Sequence, residues 1–178
     1  MLKFTKMEGI GNDYIYIDGI HQDVPMNPHF ITKISDRHFG IGSDGVIVIQ
    51  ESEICDFKMR MFNLDGSEGK MCGNGIRCFA KFVYDHQLTK KTYLEIETLG
   101  GIKKVWLIID NNKVQYVRVN MGQPILKSKE IPCLFDKEEM INEPIEVDGQ
   151  VYYLTSLSMG NPHTVIYMNH LDFNIQEL

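Results

Sequence analysis

The residues best suited to chemistry lie in residues 69–85, GKMCGNGIRCFAKFVYD, where Cys72 directly precedes Gly73-Asn74-Gly75 and an amphipathic run. The thiolate form of cysteine is the reactive one. At a helix N-terminus, unpaired amide N–H groups and the helix dipole favour negative charge, so this position predicts a thiolate at Cys72. Because glycine has no Cβ, an anionic ligand can approach the amides that follow the sulfur. The stretch therefore predicts a base beside an anion cradle.

An α-amino acid has the layout that such a site accepts, with its carboxylate on the amides and its Cα–H beside the sulfur. The Cα proton is weakly acidic, so the amides must stabilise the carboxylate as negative charge spreads onto it. The pattern therefore indicates proton transfer at an amino-acid Cα. The alternative is a capping turn in which a buried cysteine precedes a glycine by chance, and the short motif alone leaves both interpretations open.

Asparagines and one histidine in other turns are candidates for the same pocket. Asn12, Asn63 and Asn161 lie in GIGNDY, MFNLDG and SMGNPH, where polar side chains often surround a pocket, although asparagine also favours turns for local reasons. His163, close to Asn161, could accept or return a proton near a thiol. The remaining histidines are interpreted as structural: His21, His29, His38, His86 and His170.

The other cysteines are interpreted as reduced, buried, small hydrophobic residues: Cys55, Cys78 and Cys133. The cysteine spacings contain no C-x-x-C pair, and Cys72 and Cys78 are too far apart for the usual zinc knuckle. A disulfide framework is not expected in a chain of 178 residues from a reducing compartment. The sequence therefore predicts no metal site.

The elements that position these residues follow from hydrophobic spacing. Residues 73–86 are predicted to form a helix, because Ile76, Phe79, Ala80 and Val83 fall at i, i+3, i+4 and i+7. The wide apolar surface of this helix predicts a place inside a sheet rather than on its outside.

Short apolar or alternating runs predict strands on both sides of that helix: LKFTKM, YIYID, VIVIQ, FKMRMFN, YLEIET, IKKVWLIID and KVQYVRVNM. Asn27 followed by Pro28 predicts the start of a shorter helix, and Asn111-Asn112 predicts a hairpin turn. Residues 122–143 mix proline, glycine and charge, and are predicted to cross between two structural units. A second run of strands follows: PIEV, a turn at Asp148-Gly149, then VYYLTSLSM and HTVIYM.

Composition excludes several classes of protein. The chain is 43% hydrophobic and 24% charged, with a net charge of −6, which argues against a general nucleic-acid binder because such a protein needs a basic face. No apolar run approaches the roughly 18 residues that a membrane span needs, and the N-terminus lacks the features of a signal peptide. We therefore expect a cytoplasmic protein without a membrane partner.

Six segments together resemble the N-terminal two-thirds of diaminopimelate epimerase. They are FTKMEGIGNDYIYID, HFGIGSDGVIVI, MFNLDGSEGKMCGNGIRCFAKFVYD, IETLGGI, VNMGQP and SMGNPHTVIY, in this order over almost the whole chain. The resemblance implies an α+β fold of two similar halves, each an antiparallel sheet wrapped around a central helix, with the active site between them. On this basis residues 1–121 form the first half, and residues 122–178 begin an incomplete second half.

The resemblance also implies a function that needs no cofactor. Two cysteines on opposite faces of the substrate Cα interconvert LL- and meso-diaminopimelate, for lysine and peptidoglycan synthesis, in an enzyme that commonly forms a homodimer. Cys72 is implied to be one of the two acid/base thiols, assisted by His163. The implied substrate contacts are the amides of Gly73 and Asn74 and the side chains of Asn12, Asn63 and Asn161.

The chain departs from the family pattern at two places. The family carries a second thiol in an Ala-Cys-Gly-Thr-Gly-like turn preceded by a Glu-Arg pair, and nothing after Asn161 supplies them. Cys133 is not assigned that role, because neither a glycine turn nor a helix follows it. Gly45 stands where the family has a glutamine. We therefore expect an epimerase fragment that does not epimerise by itself.

Three alternatives remain open. The nearest is a two-thiol racemase of the same fold that acts on proline, hydroxyproline or histidine. The second is a non-catalytic module that binds an amino acid through the carboxylate cradle. The third is a cysteine hydrolase with Cys72 as nucleophile and His163 as base.

Overall fold

The structure is a computed structural model, and it describes residues 1–168. The chain divides into two compact units, Met1–Met121 and Gly122–Leu178. Within residues 1–168, no helix is long and apolar enough to cross a membrane.

The first unit is a curled sheet around one long helix. Its elements are β1 (Thr5–Gly9), β2 (Asn12–Asp18), α1 (Pro28–Ser35), β3 (Gly45–Gln50), β4 (Phe57–Asn63), β5 (Glu68–Gly69), α2 (Gly73–Asp85), β6 (Tyr93–Glu97), β7 (Lys103–Asp110) and β8 (Lys113–Asn120). The strand order is β1-β2-β3-β4-β6-β7-β8, with β5 added to β4. The predicted α+β class is confirmed. The sheet is mixed, because β2–β3 and β4–β6 run parallel and the other pairs antiparallel.

Helix α2 confirms the prediction made for residues 73–86. Cys72 caps its N-terminus, and Ile76, Phe79, Ala80 and Val83 are fully buried along one stripe. The helix contacts both β1 and β8, the two end strands of the sheet order, so the sheet curls around it as predicted. It is therefore held from several strands at once.

The two faces of β2 pack into different cores. Tyr14 and Tyr16 belong to the cluster around α2, whereas Ile15 and Ile17 pack with α1, whose Ile31 is fully buried. Both faces of this strand are covered, which explains why its sequence is continuously apolar rather than alternating. Helix α1 begins as predicted, with the Asn27 side chain accepting a hydrogen bond from the amide of Phe30 at 2.9 Å.

The second unit is a small sheet with order β11-β10-β9, all antiparallel. Its elements are a 3-10 helix (Ser128–Glu130), β9 (Glu143–Val147), β10 (Gln150–Ser158) and β11 (Pro162–Ile166). The segment 122–143 belongs to this unit, because Ile125 forms a β-bridge with Ser158 and the amide of Ser156 donates to Met140 O at 2.9 Å.

Both predicted hairpin turns are confirmed. Asn111 and Asn112 join β7 to β8 with φ values of 48° and 58°, the left-handed conformations that a tight hairpin turn requires. Asp148 and Gly149 join β9 to β10 in the same manner, with φ values of 51° and 78°.

Candidate active site

The Cys72 sulfur lies at the first turn of α2, where two hydrogen bonds fix it. The Gly75 amide donates to Sγ at 3.3 Å, and the thiol donates to Asn12 Oδ1 at 3.5 Å. The residue is half-buried, and its own carbonyl accepts from the amide of Ile76 at 2.9 Å. The sulfur can therefore act as acceptor from the helix and as donor to β2.

The amides of Gly73 and Asn74 form the candidate anion cradle. As the first groups of a helix they have no intrahelical acceptor, and within residues 1–168 no hydrogen bond is recorded from either. A Cβ at Gly75 would lie 2.6 Å from Cδ1 of the fully buried Ile47, so the turn packs too closely for a side chain there. The Asn74 side chain faces along the helix, where its Oδ1 accepts from Arg77.

Asn12 is oriented by a carboxylate that sequence reasoning missed. Its Nδ2 donates to Asp44 Oδ2 at 3.2 Å, which leaves Oδ1 free to accept from Cys72. Asp44 also accepts from the amide of Asp13 at 3.1 Å and from Arg37 at 2.9 Å. The segment GIGSDG has only the composition of a glycine-rich turn, yet its Asp44 lies beside the site.

A salt-bridge network supports that carboxylate from outside. Arg37 binds Asp13 at 2.7 Å, and Lys6 binds the same carboxylate at 3.0 Å. The hydrogen bond from Arg37, together with Lys6 and against the effect of burial, holds the pKa of Asp13 far below its ordinary value. Asp13 is therefore charged throughout the physiological range and keeps Arg37 beside Asp44.

Two tyrosines of β2 lie beneath the first turn of α2, and sequence reasoning missed both. The Tyr16 hydroxyl donates to Gly75 O at 3.0 Å, and the nearly buried Tyr14 lies between Asn12 and Tyr16 on the same face of β2. Burial raises the pKa of both phenols, and the neighbouring cysteines, Cys72 for Tyr14 and Cys78 for Tyr16, raise them further. Both hydroxyls therefore stay protonated at neutral pH.

The other cysteines differ from Cys72 in their surroundings. Cys78 is buried as predicted, donates to Glu8 O at 3.4 Å, and has a pKa raised by burial. Cys55 and Cys133 are only half-buried, so the prediction of burial is wrong for them, because both lie in irregular segments at the surface. Burial also raises the pKa of Cys55. All four cysteines are free thiols.

Two predicted positions in the first unit have local structural partners. Asn63 ends β4, and its Nδ2 donates to Ser67 Oγ at 3.0 Å within the turn that follows. At Gly45 a Cβ would lie 2.0 Å from Phe62 O, because β3 and β4 approach closely there. The backbone of this chain therefore leaves no space for a Cβ at position 45, where the resemblance led us to expect glutamine.

The remaining predicted residues lie in the second unit. Asn161 is in the turn between β10 and β11, and its Oδ1 lies 3.1 Å from Nε2 of the exposed His163 on β11. The structure brings these two together, and it separately brings together Cys72, Asn12 and the cradle. His170 lies outside the described residues. Among residues 1–168, no group of three or more metal-ligating side chains occurs.

Comparison with known proteins shows the family to which the chain belongs. The family model described as Diaminopimelate epimerase matches residues 4–127, well over half of the chain. The chain belongs to the diaminopimelate epimerase family. The predicted resemblance is therefore confirmed.

Relatives in this family are similar over nearly the whole chain. A diaminopimelate epimerase of Methanococcus maripaludis strain S2 is 55% identical over 172 residues, which cover 96% of this chain and 62% of the relative. Those of Acetivibrio thermocellus and Leptospira biflexa are each 51% identical, covering 96% and 99% of this chain and 61% and 64% of the relatives. The chain thus spans little more than three-fifths of their length and matches their N-terminal portion.

Solved structures share the fold at low sequence identity. A hydroxyproline epimerase from Agrobacterium vitis superposes with a TM-score of 0.68 at 12% identity, covering 93% of this chain and 51% of that one. A probable proline racemase from Agrobacterium radiobacter K84 gives 0.70 at 10% identity, covering 93% and 52%. At this identity the likeness concerns the fold alone.

Proposed function

We propose that this chain carries the Cys72 half of a diaminopimelate epimerase active site. One observation carries the proposal: in a chain of this family, the Cys72 sulfur lies at a helix N-terminus beside two amides that have no recorded partner. The predicted catalytic cysteine and anion cradle are therefore adjacent in space. The substrate class is a free amino acid with an α-carboxylate, and diaminopimelate is the member that the relatives' names favour.

The proposed step is a proton transfer that needs no cofactor. The Cys72 thiolate takes the Cα proton, so that an S–H bond forms as the C–H bond breaks. The electron pair left on Cα delocalises into the carboxylate, where the amides of Gly73 and Asn74 stabilise the added charge. A second thiol then delivers a proton to the opposite face of Cα, and the configuration is inverted.

Asn12 gives the sulfur a partner in its neutral state. The thiol donates to Asn12 Oδ1 once it has received the substrate proton, and Asp44 keeps that oxygen pointed at the sulfur. The Gly75 amide remains on the sulfur as donor and favours the thiolate before the reaction. The site therefore provides hydrogen-bond partners for both protonation states, which an acid/base residue needs.

The roles proposed for the other predicted residues concern the whole protein. Asn63 and Asn161 contact the substrate, and His163 exchanges a proton with Cys72. Cys133 does not serve as the second thiol, since its sulfur donates to Ser128 O at 3.6 Å and no helix follows it within the described residues. A cytoplasmic location and a homodimer are part of the same proposal.

The proposal is tested in a fusion protein that adds the C-terminal part of a relative, which this chain does not span. The chain is fused to the C-terminal remainder of the Methanococcus maripaludis relative, and deuterium incorporation at Cα of LL-diaminopimelate is followed in heavy water. We expect Cys72→Ala to slow exchange by about a thousand-fold, since general acid–base groups contribute roughly 10²–10⁴. The matched control Cys78→Ala removes a thiol from the same helix and keeps most of the exchange. Undiminished exchange in Cys72→Ala contradicts the proposal.

Assays on the purified 178-residue chain distinguish an inactive epimerase fragment from a non-catalytic binding module. We expect no interconversion of LL- and meso-diaminopimelate by the purified chain. Measurable interconversion contradicts the prediction that a second thiol is missing. Calorimetry with diaminopimelate on the chain and on the fusion then separates a fragment of an epimerase from a binding module. Tight binding by both proteins, together with a fusion that shows no exchange, favours a binding module.

Substrate trials address the racemase alternative. The fold likeness to a hydroxyproline epimerase and a proline racemase makes proline and hydroxyproline the relevant competitors. We expect the fusion to exchange the Cα proton of diaminopimelate and to leave both cyclic amino acids unexchanged. Preferential exchange of either cyclic amino acid overturns the choice of substrate while leaving the Cys72 chemistry in place.

A further inference from the structure

One face of β2 presents three polar groups to the first turn of α2. Asn12, Tyr14 and Tyr16 alternate along the strand, so their side chains share a face. Asn12 bonds the Cys72 sulfur, and Tyr16 bonds the carbonyl of Gly75 two residues into the helix. Tyr14 lies between them, nearly buried at 5% exposure, in the core cluster against which Cys72 packs.

We infer that Tyr14 is a positioning residue for Cys72, whose hydroxyl donates a hydrogen bond to the sulfur when the sulfur is a thiolate. This inference deepens the proposed function and rests on it for its catalytic meaning. The Gly75 amide already donates to the sulfur at 3.3 Å, and in this inference the Tyr14 hydroxyl is the second donor to the thiolate, from a different element. Hydrogen bonds to an ionised acceptor are the strong ones, so the second donor favours the charged sulfur.

The local chemistry makes Tyr14 a donor rather than an acceptor. Its pKa is raised, chiefly by burial and next by Cys72, so the phenol keeps its proton at every pH at which a thiol titrates. Tyr16 has the same neutral state, but its proton is directed to Gly75 O. The two tyrosines therefore have different acceptors. The Tyr14 hydroxyl donates to the sulfur, and the Tyr16 hydroxyl donates to the helix turn that carries the sulfur.

Other charged and titratable groups interact with this cluster and must be held constant. Asp44 interacts electrostatically with Tyr14. Tyr16 and Cys78 interact in the same way with Cys72, and Glu8 and Arg77 interact with Cys78. Removing the Tyr14 hydroxyl alone leaves each of them in place. The change Tyr14→Phe is therefore a suitable probe, since it keeps the ring that fills the core.

The experiment measures alkylation of Cys72 by iodoacetamide as a function of pH, read by mass spectrometry of its peptide in the intact 178-residue chain. The midpoint of the pH profile is compared, because a more basic thiolate is also intrinsically more nucleophilic and rates alone mislead. We expect Tyr14→Phe to raise the midpoint by about one pH unit, a tenfold smaller thiolate fraction on the acid side of the curve. Circular dichroism and melting temperature establish that the variant is folded.

Tyr16→Phe is the matched control, with the same atom removed from the same face of the same strand. It loses the bond to Gly75 O, so we expect a lower melting temperature and a midpoint within about 0.3 units of the unmodified chain. A Tyr14→Phe profile that coincides with that of the unmodified chain overturns the inference, and so does an equal shift in Tyr16→Phe. The alkylation of Cys72 is measured without substrate. A shift of its midpoint that is specific to Tyr14→Phe therefore supports this inference even if the fusion shows no exchange at the substrate Cα. Failure of the inference and failure of the proposed function are thus distinguishable.

Discussion

The two units of the chain differ in how completely they bury their apolar residues. The first unit surrounds α2 with a sheet and covers the other face of β2 and β3 with α1, so its central strands are enclosed. The described part of the second unit buries few apolar side chains, among them Ile131 and Leu154. Its sheet leaves a larger set exposed: Ile145, Val147, Val151, Tyr153 and Ile166.

This difference separates two kinds of site residue. Cys72 and its cradle lie on a helix that five strands of the first unit contact, a scaffold that holds a geometry to fractions of an ångström. His163 lies on β11, an end strand of a three-stranded sheet, with an exposed side chain. Most of the large apolar side chains on this three-stranded sheet are exposed within the described residues. The sulfur is therefore positioned within its own unit, whereas the His163 side chain has one hydrogen-bond partner within the described residues, Asn161, although its backbone pairs with β10.

The largest expected effect is a core truncation in the first unit. Phe79 is fully buried and packs edge-on against Phe57 at 6.3 Å, so Phe79→Ala leaves a cavity and should cost about 4 kcal/mol. The control Tyr153→Ala, at 54% exposure in the second unit, should cost under about 1 kcal/mol. Urea unfolding followed by circular dichroism measures both. Similar losses from the two changes contradict the contrast between the units.

Next in size is overpacking at the turn that holds the sulfur. Gly75→Ala places a methyl group 2.6 Å from Cδ1 of the fully buried Ile47, so one of the two must shift, and the change should cost about 2 kcal/mol. Gly73→Ala meets only the flexible end of Met121 at 3.3 Å and should change the free energy of unfolding by under about 0.5 kcal/mol. The same urea titration compares them, and equal costs show that the turn is not packed as described.

Sequence patterns predicted the parts of this site that depend on neighbouring residues. The helix and its start at Gly73 follow from local spacing, and α2 has both. The hairpin turns at Asn111-Asn112 and Asp148-Gly149 were predictable for the same reason, because a left-handed backbone selects asparagine, aspartate and glycine.

The parts that depend on distant residues could not be predicted in the same way. Asp44 orients Asn12 only because the parallel pairing of β2 with β3 brings the start of one strand beside the other, and no local pattern shows that pairing. Tyr14 and Tyr16 look like ordinary strand residues until α2 is placed against them. Half-burial of Cys55 and Cys133 likewise reflects tertiary position, whereas burial was assigned by residue type.

A smaller effect is expected from breaking one ion pair in each unit. In the first unit, Asp13→Asn breaks the contact with the half-exposed Arg37 and should cost about 1 kcal/mol at pH 7. The pKa of Asp13 is lowered in the folded state, so its contribution is present above the ordinary value near 3.8 and is lost as pH falls below it. Unfolding free energies at pH 7, 5 and 3 should show the difference shrinking only at the last value.

The control for that series lies in the second unit. Glu143 pairs with the exposed Lys137 at 2.6 Å, and Glu143→Gln should cost under about 0.5 kcal/mol at pH 7. A cost from Asp13→Asn that stays constant down to pH 3 contradicts the lowered pKa of Asp13. A larger cost in the second unit reverses the comparison between the units.

The smallest expected effect comes from two turn substitutions, which test whether the two units unfold in one transition. Trp106, the single tryptophan, lies on β7 in the hairpin closed by Asn111-Asn112, so its fluorescence reports the first unit. Asn112→Gly removes a Cβ from a residue with φ of 58° and should raise stability by about 0.5 kcal/mol in this signal. Asp148→Gly makes the same change in the β9–β10 turn, and we expect the Trp106 transition to stay in place because that turn belongs to the weakly buried unit. If both changes move the Trp106 midpoint equally, the units share one cooperative transition. The exposed sheet of the second unit then contributes to the stability of the helix that carries Cys72.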